Sequence, residues 1–360
     1  MPAMPTAPTA TERLRRRGAS MSYAQLDAVV SKAEDIFDHF GVSGTIVFHG
    51  SEPLLMKKTL WEVVERHKDT NFGIQTNGIL FDEDDAALVK ERRISVGISL
   101  DAPSEEVNDY LRGKGQFRAV MRALEMLQGY EGLNVITTIS KVNYKVLPAL
   151  VKLLHEKNAQ VFLANPVRGT QPGGRELRPD PLEAAHYFLG AVDLCIKLTE
   201  QRRRIVLADF ANILLGIIAP AARVLTCDIS PCGEFLGFDE FQGGDVFKDP
   251  PLEILEAESF KLVRSRIVER IEGCRECVFR NVCGAPCPAE VYAEHGIMFK
   301  KPYSCDFYKR IIERAFRIIA DGKLEHVVRL SKLKKKYEFV WGGRGALQCP
   351  TELRFNFRSV

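Results

Sequence analysis

No cysteine precedes Cys195, although the chain carries nine in its 360 residues. The N-terminal half therefore offers no thiol for a metal, a disulfide or a nucleophile, and any such chemistry belongs to the C-terminal half. Long apolar runs are missing too. The richest stretch, Phe210 to Leu225, is interrupted by Asn212, Gly216, Pro220 and Arg223, short of the about 18 apolar residues of a membrane span. An excess of one charge is also absent. Fifty Lys and Arg against 47 Asp and Glu leave a net charge of +3, which by itself says almost nothing about partners, and neither nucleic acid nor a membrane is expected among them. Arg202-Arg203-Arg204 and the lysines at 332 and 334–336 read as solvated helix faces. The first 20 residues lack the apolar segment of a secretory signal, so 1–21 is expected to be a disordered leader and the protein cytoplasmic.

What is present is ordinary globular composition, 46% hydrophobic and 27% charged, with length enough for two or three domains. Ser22-Tyr23-Ala24-Gln25 is a capping box, and behind it Leu26, Val29, Val30, Ala33, Ile36, Phe37 and Phe40 recur at helical spacing until Gly41. Strands are predicted at 45–48, 72–76, 94–100, 134–139 and 160–164. Helices are predicted between them at 56–68, 82–92, 117–129 and 146–157, with further helices at 181–200 and 306–320. Strands alternating with helices at this pace predict βα units around a parallel sheet or barrel.

The segment 94–101 adds detail. Ile94, Val96, Ile98 and Leu100 share one face, and Ser95, Gly97, Ser99 and Asp101 share the other. A fully packed barrel wants bulky residues inside, so the small polar face predicts a wider, wet lumen that holds a ligand. On periodicity alone the same face also suits solvent, if this is an edge strand.

Near the C-terminus Cys274, Cys277, Cys283, Cys287 and Cys305 follow the spacing C-x2-C-x5-C-x3-C-x17-C. Without a secretory signal, such an array reads as a metal or iron–sulfur site before it reads as a disulfide framework. Thiolates select iron–sulfur clusters or zinc, and four would satisfy either. Cys195 and Cys349 lie outside the pattern and read as ordinary thiols.

These residues carry a resemblance. His49-Gly50-Ser51-Glu52-Pro53-Leu54 at a strand end resembles the Gly-Gly-Glu-Pro motif of the radical S-adenosylmethionine (radical SAM) superfamily. Thr76-Asn77-Gly78, Ser99-Leu100-Asp101, Asn108-Asp109 and Arg112-Gly113 before Phe117 follow in the order of its peptide- and protein-modifying, maturase-type branch. The cysteine string, with Pro231-Cys232-Gly233 ahead of it, resembles the branch's C-terminal SPASM domain. The likeness spans roughly 22 to 320. It implies an α/β fold: a partial (βα) barrel over 22–200 missing its first strand, a cysteine-rich SPASM-like domain over 201–320, and a tail over 321–360. It implies S-adenosylmethionine held by Gly50, Ser51, Glu52, Pro53, Ser99 and Arg112, with Glu52 accepting from the methionyl amine and Arg112 pairing with the carboxylate. Asp101 would face the substrate as the catalytic residue. One [4Fe–4S] cluster would sit on Cys274, Cys277, Cys283 and Cys305, and a second would use Cys287 and Cys232. The implied activity is hydrogen abstraction from a peptide or protein by a 5′-deoxyadenosyl radical, with electrons from a reductant such as ferredoxin or flavodoxin.

The family's C-x3-C-x2-C, which anchors the cluster that cleaves S-adenosylmethionine, is not in this sequence. Two expectations follow. Either the coding region was cut short of an upstream strand and triad, or the chain is a degenerate, non-catalytic iron–sulfur (or zinc) scaffold that binds a peptide. Cys227, five residues before Cys232, is at most a makeshift ligand.

Overall fold

The structure, a computed structural model, describes residues 20–41, 43–50, 52–170, 173–201, 203–218, 228–229, 234–236, 242–283, 285 and 287–328. Most of the expected leader, the tail beyond 328, Ser51, Cys227, Cys232 and Cys349 lie outside the described residues.

Helix α1 (Tyr23–Phe40) begins at the predicted box. Ser22 Oγ accepts from the Gln25 N–H at 3.3 Å, and the Ser22 N–H donates to Gln25 Oε1 at 2.9 Å. Gly41 ends the helix at φ +59°, a left-handed value that suits a residue without Cβ. Strands and helices then alternate: β1 (Thr45–Phe48), α2 (Lys57–Arg66), β2 (Asn71–Thr76), α3 (Glu83–Glu91), β3 (Ser95–Ser99), α4 (Glu105–Arg112), α5 (Gln116–Met126), β4 (Leu133–Ile139), α6 (Leu147–Glu156), β5 (Val161–Pro166), α7 (Pro181–Gln201), β6 (Val206–Leu207) and α8 (Ala208–Ile218). The six strands form one parallel sheet in chain order. A doubly wound sheet would reverse its order at a switch point; this one never does, so it is an arc of a βα barrel. Helices α4 and α8 and strand β6 are absent from the elements predicted above.

The two faces of the sheet differ as the alternation in β3 predicts. Ile74, Val96, Ile98, Leu100, Val135 and Phe162 join one core with Val63, Val89, Leu124, Leu150 and Phe188 of the helices. On the opposite face the register lines up Val47, Gly73 and Ser95, then Gln75, Gly97 and Asn134, then Ser99, Ile136 and Leu163. Gln75 is exposed and Ser95, Ser99, Asn134 and Leu163 are half-buried, so this face is an open, partly polar concavity. Gly97 is a packing requirement: a Cβ there would stand 2.7 Å from Ile136 Cδ1. Among the described residues β1 pairs only with β2, and Val47 on it is 41% exposed.

Beyond the barrel arc, β7 (Asp228–Ile229), β8 (Glu234–Leu236) and β9 (Gln242–Asp245) form a small antiparallel sheet. Helices α9 (Pro251–Leu255), α10 (Glu258–Arg264), α11 (Arg280–Cys283), α12 (Pro288–His295) and α13 (Cys305–Ala320) follow. Helix α13 returns to the barrel. Its Phe307, Ile311, Ala315 and Ile318 repeat at helical spacing and enter the main core, with the Phe307 ring 5.2 Å from Phe188 at 71°. Strand β6 and helix α8 share that core. The boundary expected at 200/201 thus falls inside a packed unit, because the sheet continues to Leu207 and α13 packs back on α7 and α8. No helix among the described residues is long and apolar enough to cross a membrane.

Candidate functional site at the strand ends and the cysteine segment

The C-terminal ends of β1 to β4 meet in a dense polar network. After β1 the chain passes Gly50 at φ +125°, a value L side chains rarely adopt, with open space where a Cβ would stand. Glu52 follows, buried. Its Oε1 accepts from the Leu54 N–H at 3.0 Å and Thr76 Oγ1 at 2.8 Å, and its Oε2 from the Asn77 N–H at 2.8 Å. The first bond caps the 3-10 turn Pro53–Met56, for which Pro53 is preset; the other two bind the end of β1 to the end of β2. A carboxylate has about four acceptor positions, so one remains for a ligand.

Asp101 and Arg112 form a second node. Arg112 Nε donates to Asp101 Oδ2 at 2.6 Å and Nη2 to Oδ1 at 3.0 Å, a planar fork. Asp101 Oδ1 also accepts from the Thr138 N–H at 2.7 Å. Asp101 is expected to face the substrate; in the structure it is 5% exposed, as buried as Glu52, and the Arg112 fork takes up both its oxygens. Arg112 likewise uses its Nε edge on Asp101, yet its side chain is 24% exposed and Nη1 has no bond among the described residues. Around the pair, Asn108 Oδ1 accepts from the Asp101 N–H at 2.9 Å, and Asn143 Nδ2 donates to Asp101 O at 2.8 Å. Gln116 Nε2 donates to Asn77 O at 2.8 Å and Ser99 O at 2.7 Å, so Ser99 is held through its backbone while its side chain lies on the concave face. The sequence reading quoted Asn108 but gave no role to it, Gln116 or Asn143. A signal was available: Asn108 and Arg112 stand four apart on one face of α4.

Asp209, at the start of α8, was also missed. Its Oδ2 accepts from the Ala164 N–H at 2.5 Å near the end of β5, and burial holds its carboxyl above the usual range. Tyr308 on α13 packs against the main core, and burial pushes its phenol up.

In that segment Cys274 and Cys277 lie on a turn closed by the bond from the Cys277 N–H to Cys274 O at 3.0 Å. Cys283 ends α11, and Cys287 stands before Pro288 at the start of α12. Cys305 opens α13. It is set in place by Glu290, which accepts from Ser304 N at 3.2 Å and Ser304 Oγ at 2.9 Å. All five cysteines are free thiols. Among the described residues no three His, Cys, Asp or Glu side chains close to the spacing that a single metal ion needs. Helix α11, which Cys283 ends, packs against α13, which Cys305 opens. The positive charges of Arg266, Lys301 and Lys309 act on Cys274 against the effect of burial. Soft donors under positive charge suit a thiolate-ligated, anionic metal centre.

Burial raises the thiols of Cys274 and Cys305, and that of Cys283 to about 11. Raised thiols are protonated near neutral pH, so loading with metal must release their protons and affinity must rise with pH. Apoprotein loaded with iron and hydrosulfide in weak buffer should release about one proton per ligating thiol on top of the one each incorporated hydrosulfide gives up, which a pH-stat reads.

Comparison with known proteins accords with this geometry. The sequence profile of the Radical SAM superfamily matches residues 10–154. An uncharacterized protein of Archaeoglobus fulgidus is 46% identical over 341 residues, covering 90% of this chain and 80% of its own. A cysteine-type anaerobic sulfatase-maturating enzyme of Clostridium novyi is 25% identical over 292 residues, covering 73% and 77%. The chain belongs to the radical SAM superfamily. A mycofactocin maturase of Mycolicibacterium smegmatis is 26% identical over 261 residues, covering 67% of this chain and 64% of its own. The structure of native anSMEcpe with bound AdoMet superimposes at a TM-score of 0.72 with 19% identity, covering 84% of this chain and 90% of that one, and shows the radical SAM fold. Membership in this superfamily implies iron–sulfur and S-adenosylmethionine binding.

Proposed function

We propose that this chain supplies the cofactor- and substrate-holding parts of a maturase-type radical SAM protein that acts on a peptide or protein. Gly50, Ser51, Glu52, Pro53, Ser99 and Arg112 would hold S-adenosylmethionine at the strand ends. Glu52 would offer its remaining acceptor to the methionyl ammonium, and Arg112 Nη1 would pair with the carboxylate while Asp101 fixes the guanidinium plane. Asp101 is thus a positioning residue for Arg112. Cys274, Cys277, Cys283 and Cys305 would hold a [4Fe–4S] cluster, with Cys287 and Cys232 serving a second. The half-buried polar concavity below the strand ends would receive the substrate. When bound, these groups supply one-electron chemistry and a hydrogen-abstracting radical, fed by a small reductant such as ferredoxin or flavodoxin. The observation that carries the reading is the spacing of Cys274, Cys277, Cys283 and Cys305 along the chain, together with the packing of α11, which Cys283 ends, against α13, which Cys305 opens.

One observation favours a second reading, a non-catalytic iron–sulfur scaffold that binds a peptide: no cysteine precedes Cys195, so the 360-residue chain has no triad at the strand ends. The 360-residue chain is expected to form no 5′-deoxyadenosine with dithionite and S-adenosylmethionine, whereas a chain extended upstream by a C-x3-C-x2-C strand should form it. Turnover by the shorter chain would show that the cleaving cluster is held without a triad. Binding is the separate test. Glu52→Gln replaces a charged acceptor by an amide and should weaken S-adenosylmethionine binding by about tenfold or more in calorimetry, the worth of a charge-assisted hydrogen bond. Unchanged affinity would remove Glu52 from the site.

A further inference from the structure

Arg266 follows α10 and reaches into the cysteine segment from outside the cysteine string. Its Nε donates to Met298 O at 2.8 Å and its Nη1 to Ala285 O at 2.7 Å. These two carbonyls fix the plane of the guanidinium. Ala285 sits between Cys283 and Cys287 at φ +52°. The third nitrogen, Nη2, is shut off from water and has no hydrogen-bond partner among the described residues. A buried guanidinium nitrogen left in that state is costly, and native structures rarely keep one without a partner. Burial disfavours the charge of Arg266, and Cys274, Cys287 and Cys283 are the groups that offset this. The orphan donor belongs to a guanidinium clamped on Ala285, between Cys283 and Cys287, so thiols are its neighbours along the chain it holds.

We propose that Arg266 is a built-in hydrogen-bond donor to the metal–sulfur centre of the cysteine segment, and that through Nη2 it raises the reduction potential of that centre. This rests on the iron–sulfur reading given above. The couple concerned is a one-electron couple: the centre takes one electron from the reductant, gains one unit of negative charge, and no bond forms or breaks. A fixed cation and a hydrogen bond to sulfur favour the more negative member of such a couple. The carbonyl clamps on Ala285 and Met298 keep the donor aimed when the centre changes charge, and Lys would lack that fork.

The test uses the full chain, reconstituted anaerobically with iron and sulfide, in wild-type form and as Arg266→Gln, Arg266→Met and Arg266→Lys. Iron, acid-labile sulfide and the midpoint from an EPR-monitored redox titration are measured on each. The Gln and Met variants should keep the iron and sulfide of the wild type while the equilibrium constant for reduction falls about tenfold, a shift of about 59 mV to lower potential. The Lys variant, which keeps the charge but not the fork, should fall by less, and it carries the test if the Met variant does not fold. Full iron with unchanged midpoints in the Gln and Met variants would overturn the inference and leave the iron–sulfur reading intact. Wild-type protein with no acid-labile sulfide would overturn both.

Discussion

Arg112→Met is expected to lower folding stability by about 3 kcal/mol, more than removal of an exposed ion pair would. The reason is which partner stays behind. Asp101 is buried and keeps only the Thr138 N–H on its carboxylate once the guanidinium is gone. An ionised carboxylate left so in the interior is the strongly destabilising half of a broken buried pair. Asp101→Asn together with Arg112→Met removes that charge, so the double variant should be more stable than Arg112→Met alone. Urea unfolding of the wild type, both single variants and the double variant measures the coupling. Additive losses would show that the fork contributes nothing of its own.

Cys305→Ala and Cys274→Ala should each remove most of the bound iron, while Cys195→Ala should leave it in place. Cys195 is buried on α7 against the main core, and its thiol is pushed up by that burial. Replacing it by alanine costs on the order of 1 kcal/mol of packing and touches no metal donor. Cys305 is different: its helix α13 is held by Phe307, Ile311, Ala315 and Ile318 in the main core. The fold should therefore survive Cys305→Ala while the centre does not, and melting curves taken beside the iron counts separate the two effects. Equal iron in all three variants would remove these cysteines from the ligand set.

Most of the barrel arc was legible because its strands and helices bury one face each, and such faces leave a period in the chain. The strands at 45–48 and 134–139 and the capping box at Ser22 were read from that pattern alone. Helix α4 was not, since its inward positions include Asn108 and Arg112, where an apolar stripe would be looked for. Strand β6 has two residues, too few for any period. The spacing of the cysteines marked the second site, but the partners of Asp101 could not be read along the chain. Whether a carboxylate meets a substrate or Arg112 depends on how α4 docks over the end of β3, which is a tertiary fact. Arg266 was invisible for the same reason: its acceptors are the carbonyls of Ala285 and Met298, and any residue type offers a carbonyl.

The central claim is that the C-terminal thiols hold an iron–sulfur centre. Counting iron and acid-labile sulfide on the anaerobically reconstituted 360-residue chain tests it most directly. The account predicts a brown protein with about four irons and about four sulfides per chain in the site of Cys274, Cys277, Cys283 and Cys305, and more if the site of Cys287 and Cys232 also fills. One zinc per chain with no sulfide would contradict it.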